Sequence, residues 1–504
     1  MLRRYMPIWG FLATLASGVS ASEPDFPVED THLQSVPRTV EESARIKAVV
    51  APATDFTAPE RFEERPAGSA TRFGYPNTHA FSGASANMPF ERELDFKVGN
   101  GLFKKLWVSS PASTKASDGL GPLYNARSCQ RCHLKDGRGH PPEGPQDNAV
   151  SMFLRISRPG GAASPIPGTF ATQPDPVYGS QLQDFSIAGV SAEYSLGVTW
   201  EDVDIPLSGG EVATLRRPDW RVDALGYGSL VPGTMLSPRV APQMIGLGLL
   251  EAIPAADIIA NVDPEDRDGD GISGRANYVW SDEFDAPMLG RFGLKAGAPT
   301  VRSQSAGAFA GDMGLSTSLH PSGAGECTTA QARCLAAPHG GSPYEVPDEA
   351  LDLVTFYSRN LAVPARRDVD DPNVLRGKWV FYETGCPACH TPKFVTHRLQ
   401  DQPEQSFQLI WPYTDLLLHD MGEGLADNRP EGRASGREWR TPPLWGIGLT
   451  KAVSGHTYFL HDGRARSLLE AVLWHGGEAE AAKTRVVDMP PDDRAALIRF
   501  LESL

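Results

Sequence analysis

The sequence predicts a mainly α-helical protein that consists of two related domains, the first of which carries a β-rich insertion. Three observations support this prediction. The pentapeptide Cys-x-x-Cys-His occurs twice, at 129–133 and at 386–390. Apolar residues at helical spacing lead into each copy, and a second helical pattern follows each copy further along the chain. Alternating and β-branched stretches lie between the two copies and are typical of short strands.

The helical patterns can be placed on the chain. Residues 101–107 and 377–382 lead into the two pentapeptides. Pro347 and Pro491 are each followed by acidic residues and then by apolar residues at helical spacing, which predicts a helix start and a buried face. The predicted strands are 150–157, 194–203 and 212–217.

The amino terminus has the layout of a secretory signal peptide. Arg3 and Arg4 are followed by a mostly apolar stretch at 6–19, and Ala21 is a suitable cleavage site. We therefore expect a signal peptide at 1–21 and an exported, periplasmic protein; an uncleaved membrane anchor is the alternative. No other stretch is apolar enough to cross a bilayer, so we expect no integral membrane protein. Residues 22–90 are predicted to form an N-terminal arm of low regularity.

The net charge of the chain indicates which class of binding partner it favours. The 62 acidic and 47 basic residues give a net charge of −15. This charge argues against nucleic acid and favours a basic protein partner, because opposite charges steer the encounter. A small cytochrome c would fit.

The pentapeptide indicates covalently bound haem c. Two thiols one helical turn apart can each add to a haem vinyl group, and the adjoining histidine reaches the iron as its proximal ligand. A redox cysteine pair would not need the histidine, and a structural zinc site would need more cysteines than this chain has. We therefore predict two haems. The haem-binding residues are Cys129, Cys132, His133, Cys386, Cys389 and His390.

The repeat sets the predicted domain boundaries. In a cytochrome c fold, the opening and closing helices pack together beside the haem. We predict cytochrome c-type haem domains at 91–363 and 364–504, with the β-rich insertion at about 135–240. The two remaining cysteines, Cys327 and Cys334, suit a small disulfide-closed loop in an oxidising compartment.

An acidic loop at 263–277 resembles a calcium site. Asp266, Asp268 and Asp270 occupy alternate positions and are followed by glycine, as at the start of a calcium loop. The twelfth position is Asn277 instead of glutamate, and no flanking helix pair is evident. Bound Ca²⁺ and a solvated acidic turn are the two interpretations.

Residues 90–504 resemble the dihaem cytochrome c peroxidase superfamily, and most closely its dihaem oxidoreductase branch. The resemblance implies an electron-transfer haem in the second domain and a peroxide-reacting haem in the first. The segments that carry it are 119–128, 413–422, 440–444, 461–464 and 469–472.

The resemblance also implies a distal ligand for the second haem. Three residues after 469–472 stands His475, where the familiar peroxidases have methionine and the quinone-forming relative has tyrosine. Met421 is the alternative ligand, and capping of the helix is the alternative role of His475. In the first repeat the equivalent position is Ala256, which cannot bind iron. We therefore expect an open sixth position at the first haem.

Cleavage of a peroxide also needs an acid/base group and a cation or dipole. The superfamily uses glutamate in a Glu-Met pair, and the counterpart here is Asp312-Met313. We predict Asp312 as the acid/base group and Arg239 as the cation. Their alternative roles are a cap or turn residue and a haem-propionate partner, respectively. A further alternative is that the His140 side chain blocks access to the iron of the first haem.

These features predict an oxidoreductase that reduces hydrogen peroxide with electrons from a small cytochrome c or copper protein. One alternative is a dihaem electron-transfer protein without peroxidase activity. Another is a dihaem enzyme that oxidises a protein or metal substrate, for which the β-rich insertion would form the platform.

Overall fold

The structure is a computed structural model that describes residues 26–74, 76–144, 147, 149–341 and 343–504. The signal peptide predicted at 1–21 lies outside the described residues.

Thirteen α-helices form within these residues. In chain order they are α1 Val40–Val50, α2 Glu93–Lys104, α3 Cys129–Cys132, α4 Leu247–Glu251, α5 Ala255–Ile259, α6 Val301–Met313, α7 Ala332–Leu335, α8 Asp348–Arg359, α9 Pro372–Glu383, α10 Thr450–Ser454, α11 Leu468–Leu473, α12 Glu480–Asp488 and α13 Pro491–Ser503.

Strands are numerous and mostly short. They are β1 Ser35–Val36, β2 Val108–Ser109, β3 Asp118–Leu120, β4 Leu123–Tyr124, β5 Met152–Pro159, β6 Thr172–Gln173, β7 Gln181–Leu182, β8 Phe185–Ser186, β9 Ser195–Pro206, β10 Val212–Asp223, β11 Met235–Val240, β12 Tyr278–Ser281, β13 Ala286–Leu289, β14 Phe394–Val395, β15 Arg398–Leu399, β16 Leu409–Ile410, β17 Leu418–Asp420 and β18 Glu438–Arg440.

The prediction of a mainly α-helical protein is wrong. The structure is 29% helical and 18% strand, with several small sheets, and it does not show a pair of cytochrome c domains. The physical reason lies in the 50 glycines and 43 prolines, which interrupt helices and favour turns. Much of the chain between the helices therefore forms short strand pairs and irregular segments.

The largest sheet contains four strands. Its order is β11-β5-β6, and β7 also pairs with β5. Across the β5–β11 pair, Phe153 lies opposite Arg239 and Arg155 lies opposite Ser237. A separate long hairpin pairs β9 with β10 over all twelve residues of each strand.

Two helix pairs approach closely at glycines. α2 packs against α8 and α9 packs against α13. A Cβ on Gly99 would lie 2.2 Å from the Leu353 carbonyl oxygen, and a Cβ on Gly377 would lie 1.9 Å from that of Ala496. Both contacts therefore require the absence of a side chain.

These helices also place an aromatic ring beside each pentapeptide. Phe103 lies 6.3 Å from the ring of His133, and Phe381 lies 6.4 Å from that of His390. Each phenylalanine follows its close-contact glycine by four residues. The equivalent of Gly377 is thus Gly99, which lies two residues before the predicted segment 101–107 begins.

A second repeated glycine joins the two halves of the chain. Gly246 and Gly446 both have φ near +70°, at 73° and 72°, a left-handed conformation that favours glycine. Trp445 packs against Gly246, and Ile245 packs against Gly446. The residues that precede the two glycines therefore exchange contacts across the core.

The segment predicted as an irregular arm packs on the rest of the molecule. Strand β1 pairs with β15, with Ser35 opposite Leu399. The Asp30 carboxylate contacts Arg291 and lies 2.8 Å from Nε2 of His397. Among the described helices, none is both long enough and apolar enough to cross a membrane.

Candidate functional site

One cavity of about 940 Å³ contains both pentapeptides. Its volume lies in the upper part of the range typical of ligand and cofactor sites. The motif residues in its wall are Cys129, Cys132, His133, Cys386, Cys389 and His390. The structure thus brings all six predicted haem-binding residues to one cavity.

In the first motif, α3 forms a single turn that places two thiols and the following imidazole together. The backbone N–H of His133 donates to the Cys129 carbonyl at 2.9 Å. His133 Nδ1 lies 2.8 Å from the Pro242 carbonyl oxygen and must be the donor, because a carbonyl only accepts. Burial lowers the pKa of His133 to about 4. The Nε2 lone pair of a neutral ring is therefore left for a metal.

The second motif repeats this arrangement. Cys386 opens a 3-10 turn, and its carbonyl accepts from the backbone N–H of His390 at 2.9 Å. His390 Nδ1 donates to the Tyr413 carbonyl at 2.9 Å. Burial lowers the pKa of His390 to about 4, and this histidine also keeps Nε2 unprotonated.

The four motif cysteines have free thiols, whereas Cys327 and Cys334 form the predicted disulfide. Burial raises the pKa of Cys129 to about 12 and that of Cys386 to about 11. A thiol–disulfide enzyme instead needs a cysteine with a lowered pKa. The environment of the motifs therefore disfavours thiol redox chemistry.

His475 lies two residues after the end of α11 and reaches the cavity beside the second motif. Its Nδ1 donates to the Ala471 carbonyl at 2.7 Å, so the ring contacts the last turn of the helix and still leaves Nε2 for a metal. Burial lowers the pKa of His475, and a charge on this ring would lower the pKa of His390. The two imidazoles are thus electrostatic neighbours.

Met421 lines the cavity as well. Its side chain packs against the apolar cluster that contains Leu425 and Trp474. Both candidate ligands of the second haem therefore reach the cavity, and of the two only His475 offers a nitrogen.

His419 is excluded as an iron ligand by its partners. Its Nε2 lies 2.8 Å from Asp415, and its Nδ1 lies 2.8 Å from Glu478. Burial alone would lower the pKa of His419, but the two carboxylates hold it well above its usual value. The ring is therefore protonated on both nitrogens. Its Nδ1 also lies 3.5 Å from the thiol of Cys389, so this charge borders the second motif.

Helix α6 lines the cavity near the first motif. Gln304, Ala308 and Asp312 recur at every fourth residue and face the cavity together. Gln181 Nε2 donates to Asp312 Oδ1 at 2.8 Å, and burial raises the pKa of this carboxyl group. The charge of Asp312 raises the pKa of the Cys129 thiol, which places Asp312 beside the first motif.

Arg239 also lines the cavity, but its side chain is already paired. Its Nη2 lies 2.8 Å from Glu431, and its Nε donates to Ser237 Oγ at 3.0 Å. Glu431 accepts from Arg429 at 2.6 Å as well. The structure thus places Arg239 at the site, in a buried ion-pair cluster.

Two other predicted positions lie elsewhere. His140 Nδ1 donates to the Pro141 carbonyl at 2.9 Å, and the ring packs on His456. Ala256 is exposed on α5. Within the described part of the chain, neither residue belongs to the cavity wall. His140 therefore does not face the first motif. Ala256, which the repeat aligns with His475, does not occupy the equivalent place in the wall.

Sequence reasoning missed several residues of this wall. Arg155 and Phe153 come from β5, and Glu431 lies between β17 and β18. The alternation along β5 was the available signal, since Leu154 and Ile156 face an apolar cluster and their neighbours must face the other way.

The acidic loop brings three carboxylates together. One ligand oxygen from each of Asp266, Asp268 and Asp270 lies within 4.8 Å of the others. The Gly271 N–H donates to Asp266 Oδ1 at 3.0 Å. Asn277 is buried elsewhere, where its Nδ2 donates to the Lys295 carbonyl at 2.7 Å. The predicted twelfth position therefore does not join this cluster.

Comparison with known proteins identifies the class. A family model described as "Di-haem oxidoreductase, putative peroxidase" matches residues 63–224 and 231–504. The chain therefore belongs to the dihaem oxidoreductase family, as predicted, and the family implies two haem groups.

The other comparisons add little. No curated protein matches the chain. Among solved structures, it is similar to a chain of Kuenenia stuttgartiensis hydrazine synthase pressurised with 20 bar xenon. The two are 16% identical with a TM-score of 0.21, and the match covers 36% of this chain and 63% of that one, which is less than two thirds of its length.

The residues present fit two haems. Each motif offers two thiols and a neutral imidazole, and one cavity holds both sets. Arg138 and Arg440 in the same wall could contact haem carboxylates.

Proposed function

We propose that the protein is a periplasmic dihaem c-type oxidoreductase that reduces hydrogen peroxide with electrons from a small redox protein. One observation carries this proposal: the two motifs share one cavity, but different side chains lie beside each of them. His475 stands beside the second motif, whereas the carboxyl group of Asp312 stands beside the first.

We further propose that both haems are covalently attached. Cys129 and Cys132 would hold one haem, and Cys386 and Cys389 the other, with His133 and His390 as iron ligands. When bound, haem supplies one-electron redox chemistry and a site where peroxide can react. The chain supplies the orientation of both imidazoles through the Pro242 and Tyr413 carbonyls.

Asp312 is the proton donor in this proposal. Its raised pKa keeps more of the carboxyl group protonated at a given pH than in water. Gln181 holds the carboxyl group in place through its 2.8 Å hydrogen bond. An acid whose pKa approaches the working pH is suited to protonating a departing oxygen.

The partner is proposed from charge. A net charge of −15 favours a small cytochrome c or copper protein with a positive surface. Ala388 is exposed within the second motif, so a partner can approach this haem site.

Low-temperature electron paramagnetic resonance of the ferric protein tests the function. The spectrum is recorded as purified, after reduction by one electron, and after addition of peroxide. We expect one high-spin signal that peroxide consumes and one low-spin signal, followed by turnover with candidate donors. Two low-spin signals that peroxide leaves unchanged would instead indicate an electron-transfer protein.

We also propose that the acidic loop binds Ca²⁺. Three carboxylates that converge within 4.8 Å repel one another, and burial together with this repulsion raises the pKa of Asp270. A cation would remove the repulsion. Calorimetric titration of the calcium-depleted holoprotein should show binding that Asp268→Asn weakens. Absence of binding would identify a solvated acidic turn.

Export is tested on the full chain. Cell fractionation and amino-terminal sequencing of the mature protein should locate it in the periplasm, with a new terminus after Ala21. A cytoplasmic protein that retains Met1 would contradict this part of the proposal.

A further inference from the structure

The β5–β11 strand pair forms part of the cavity wall. Phe153 and Arg155 on β5 and Arg239 and Val240 on β11 all line the cavity. The alternate residues Leu154 and Ile156 pack into an apolar cluster on the other face. These strands therefore present two arginines directly to the cavity.

Arg155 differs from the other cations in the wall. Six of them contact carboxylates or carbonyl groups of the chain, and these are Arg138, Arg239, Arg291, Arg440, Lys483 and Arg485. Within the described ranges, the Arg155 guanidinium makes no hydrogen bond or ion pair to the chain. The Phe153 ring lies 5.7 Å from its central carbon. Arg155 thus presents unused N–H donors to the cavity.

The surroundings of Arg155 carry an excess of positive charge. Arg155, Arg239 and Arg429 all act on Glu431, whose pKa they hold well below its usual value against the effect of burial. Arg155 also lowers the otherwise raised pKa of Asp312. The guanidinium therefore lies within electrostatic range of both carboxyl groups, and Glu431 alone does not neutralise the three arginines.

The position of Arg155 also bears on what it can bind. Asp312 acts on the thiols of Cys129 and Cys132, which would hold the vinyl-derived edge of a haem. The propionates of haem stand at the opposite edge. Arg155, which acts on Asp312, therefore lies toward the thiols of the first motif and away from the edge where the propionates would stand.

We propose that Arg155 is the anion-binding group of this cavity and, resting on the function proposed above, that it hydrogen-bonds the peroxide oxygen that departs. Reduction of HOOH takes two electrons and two protons, breaks the O–O bond and yields two waters. The redox partner supplies the electrons, Asp312 delivers one proton, and solvent supplies the second proton and reprotonates Asp312. Arg155 donates no proton, because a guanidinium does not titrate near neutral pH, but it stabilises negative charge on the departing oxygen.

The test compares Arg155→Gln with Arg158→Gln in the dihaem holoprotein. Arg158 is three residues along the same strand, on the opposite face, and does not line the cavity. Stopped-flow measurement should show a reaction with peroxide slowed by about a hundredfold in Arg155→Gln and unchanged in the control. Guanidinium ion added to Arg155→Ala should restore part of the rate.

A second readout does not depend on turnover. Fluoride binding to the resting ferric protein, followed by visible absorption, should weaken about tenfold or more in Arg155→Gln, because a charged donor is lost. If fluoride affinity falls but the wild type does not react with peroxide, the proposed function fails and the anion site stands. A wild type that binds no fluoride, or equal affinities in all three proteins, overturns the inference. The inference is also overturned if Arg155→Gln alters the resting spectrum and the haem midpoint potential but leaves the fluoride affinity unchanged. That result would identify Arg155 as a partner of a haem propionate.

Discussion

Three histidines of the cavity share one arrangement, and a fourth has the opposite one. His133, His390 and His475 each donate from Nδ1 to a backbone carbonyl. Each therefore keeps an unprotonated Nε2 in a buried, neutral ring. His419 is held between two carboxylates and is protonated on both nitrogens. Hydrogen-bond partners thus separate candidate ligands from a charged neighbour, which residue type alone cannot do.

His475 can be tested against Met421 as a ligand. In His475→Ala the second haem should lose its low-spin signal, because the strong-field nitrogen is removed. His475→Met should keep a six-coordinate haem with a higher midpoint potential. Paramagnetic resonance and a redox titration measure both effects. Met421→Leu is the control and should leave the low-spin signal intact; loss of that signal there would assign the ligand to Met421.

Asp312 should control the pH dependence of the reaction with peroxide. Its folded pKa is raised, so the protonated acid persists above pH 3.8 and is lost as pH rises through the raised value. The rate of the wild type should fall over that range. Asp312→Asn should react about 10²-fold to 10⁴-fold more slowly and lose this dependence. Asp312→Glu should recover part of the rate, and equal pH profiles for all three proteins would contradict a role as acid.

At the scale of elements, glycine sets the spacing of the two helix pairs. A Cβ on Gly377 would approach the Ala496 carbonyl oxygen to 1.9 Å and the Phe500 Cβ to 2.7 Å. Backbone cannot yield as a flexible side chain does, so α9 and α13 would have to separate. This separation would also move Phe381 relative to His390.

Gly377→Ala should therefore destabilise the protein by about 1–3 kcal/mol, the usual cost of overpacking. Urea unfolding of the holoprotein, followed by circular dichroism, measures this change. Gly101→Ala is a matched control, because Gly101 lies in α2 with no atom within 4 Å of an added Cβ. The control should be stabilised by about 0.5–1 kcal/mol through helix propensity. Similar losses in both variants would show that the close contact is not the cause.

Some elements follow from the sequence and others do not. Helices α8 and α13 begin where proline and acidic residues predict them, and β9 and β10 overlap the predicted strands. Two-residue strands such as β1 and β15 escaped prediction, because Ser35 and Leu399 pair over hundreds of residues and carry no local pattern. The predicted helical content was too high for the same reason. Strands β17 and β18 form by pairing with each other, and this pairing leaves no local pattern in the sequence.

At the scale of the whole molecule, the motifs predicted the chemistry but not the cavity that holds it. The spacing of Cys129 and Cys132 predicts a haem-binding residue set without any knowledge of the fold. The wall around it combines α6 with β5 and β11, which are distant in sequence. Arg239 was recognised from the repeat and Arg155 was not, because only the structure shows that Glu431 pairs with Arg239 and that Arg155 also lines the cavity.

Glu63 is one of the buried carboxylates through which the N-terminal segment contacts the rest of the molecule. Glu63 is 1% exposed and contacts Arg366 and Lys378, with Lys378 Nζ at 2.9 Å. Burial alone would raise the pKa of Glu63, but the two cations lower it below 4.5. Its contribution to stability is therefore present above about pH 4.5 and is lost as pH falls through the lowered value.

Glu63→Ala leaves the buried Arg366 without its carboxylate partner, whereas Lys378 keeps Glu60 at 2.8 Å. We therefore expect a loss of about 3 kcal/mol at pH 7, the lower end of the cost of breaking a buried ion pair. Glu64→Ala is the adjacent control, since Glu64 is half exposed and its contact with Arg65 is 3.7 Å long. That variant should change the free energy of unfolding by less than about 1 kcal/mol. Denaturant unfolding at pH 7 and again below pH 4 measures both, and the difference between wild type and Glu63→Ala should shrink at the lower pH. Equal stability of Glu63→Ala and wild type at pH 7 would mean that the N-terminal segment is not held to α9 by this ion pair.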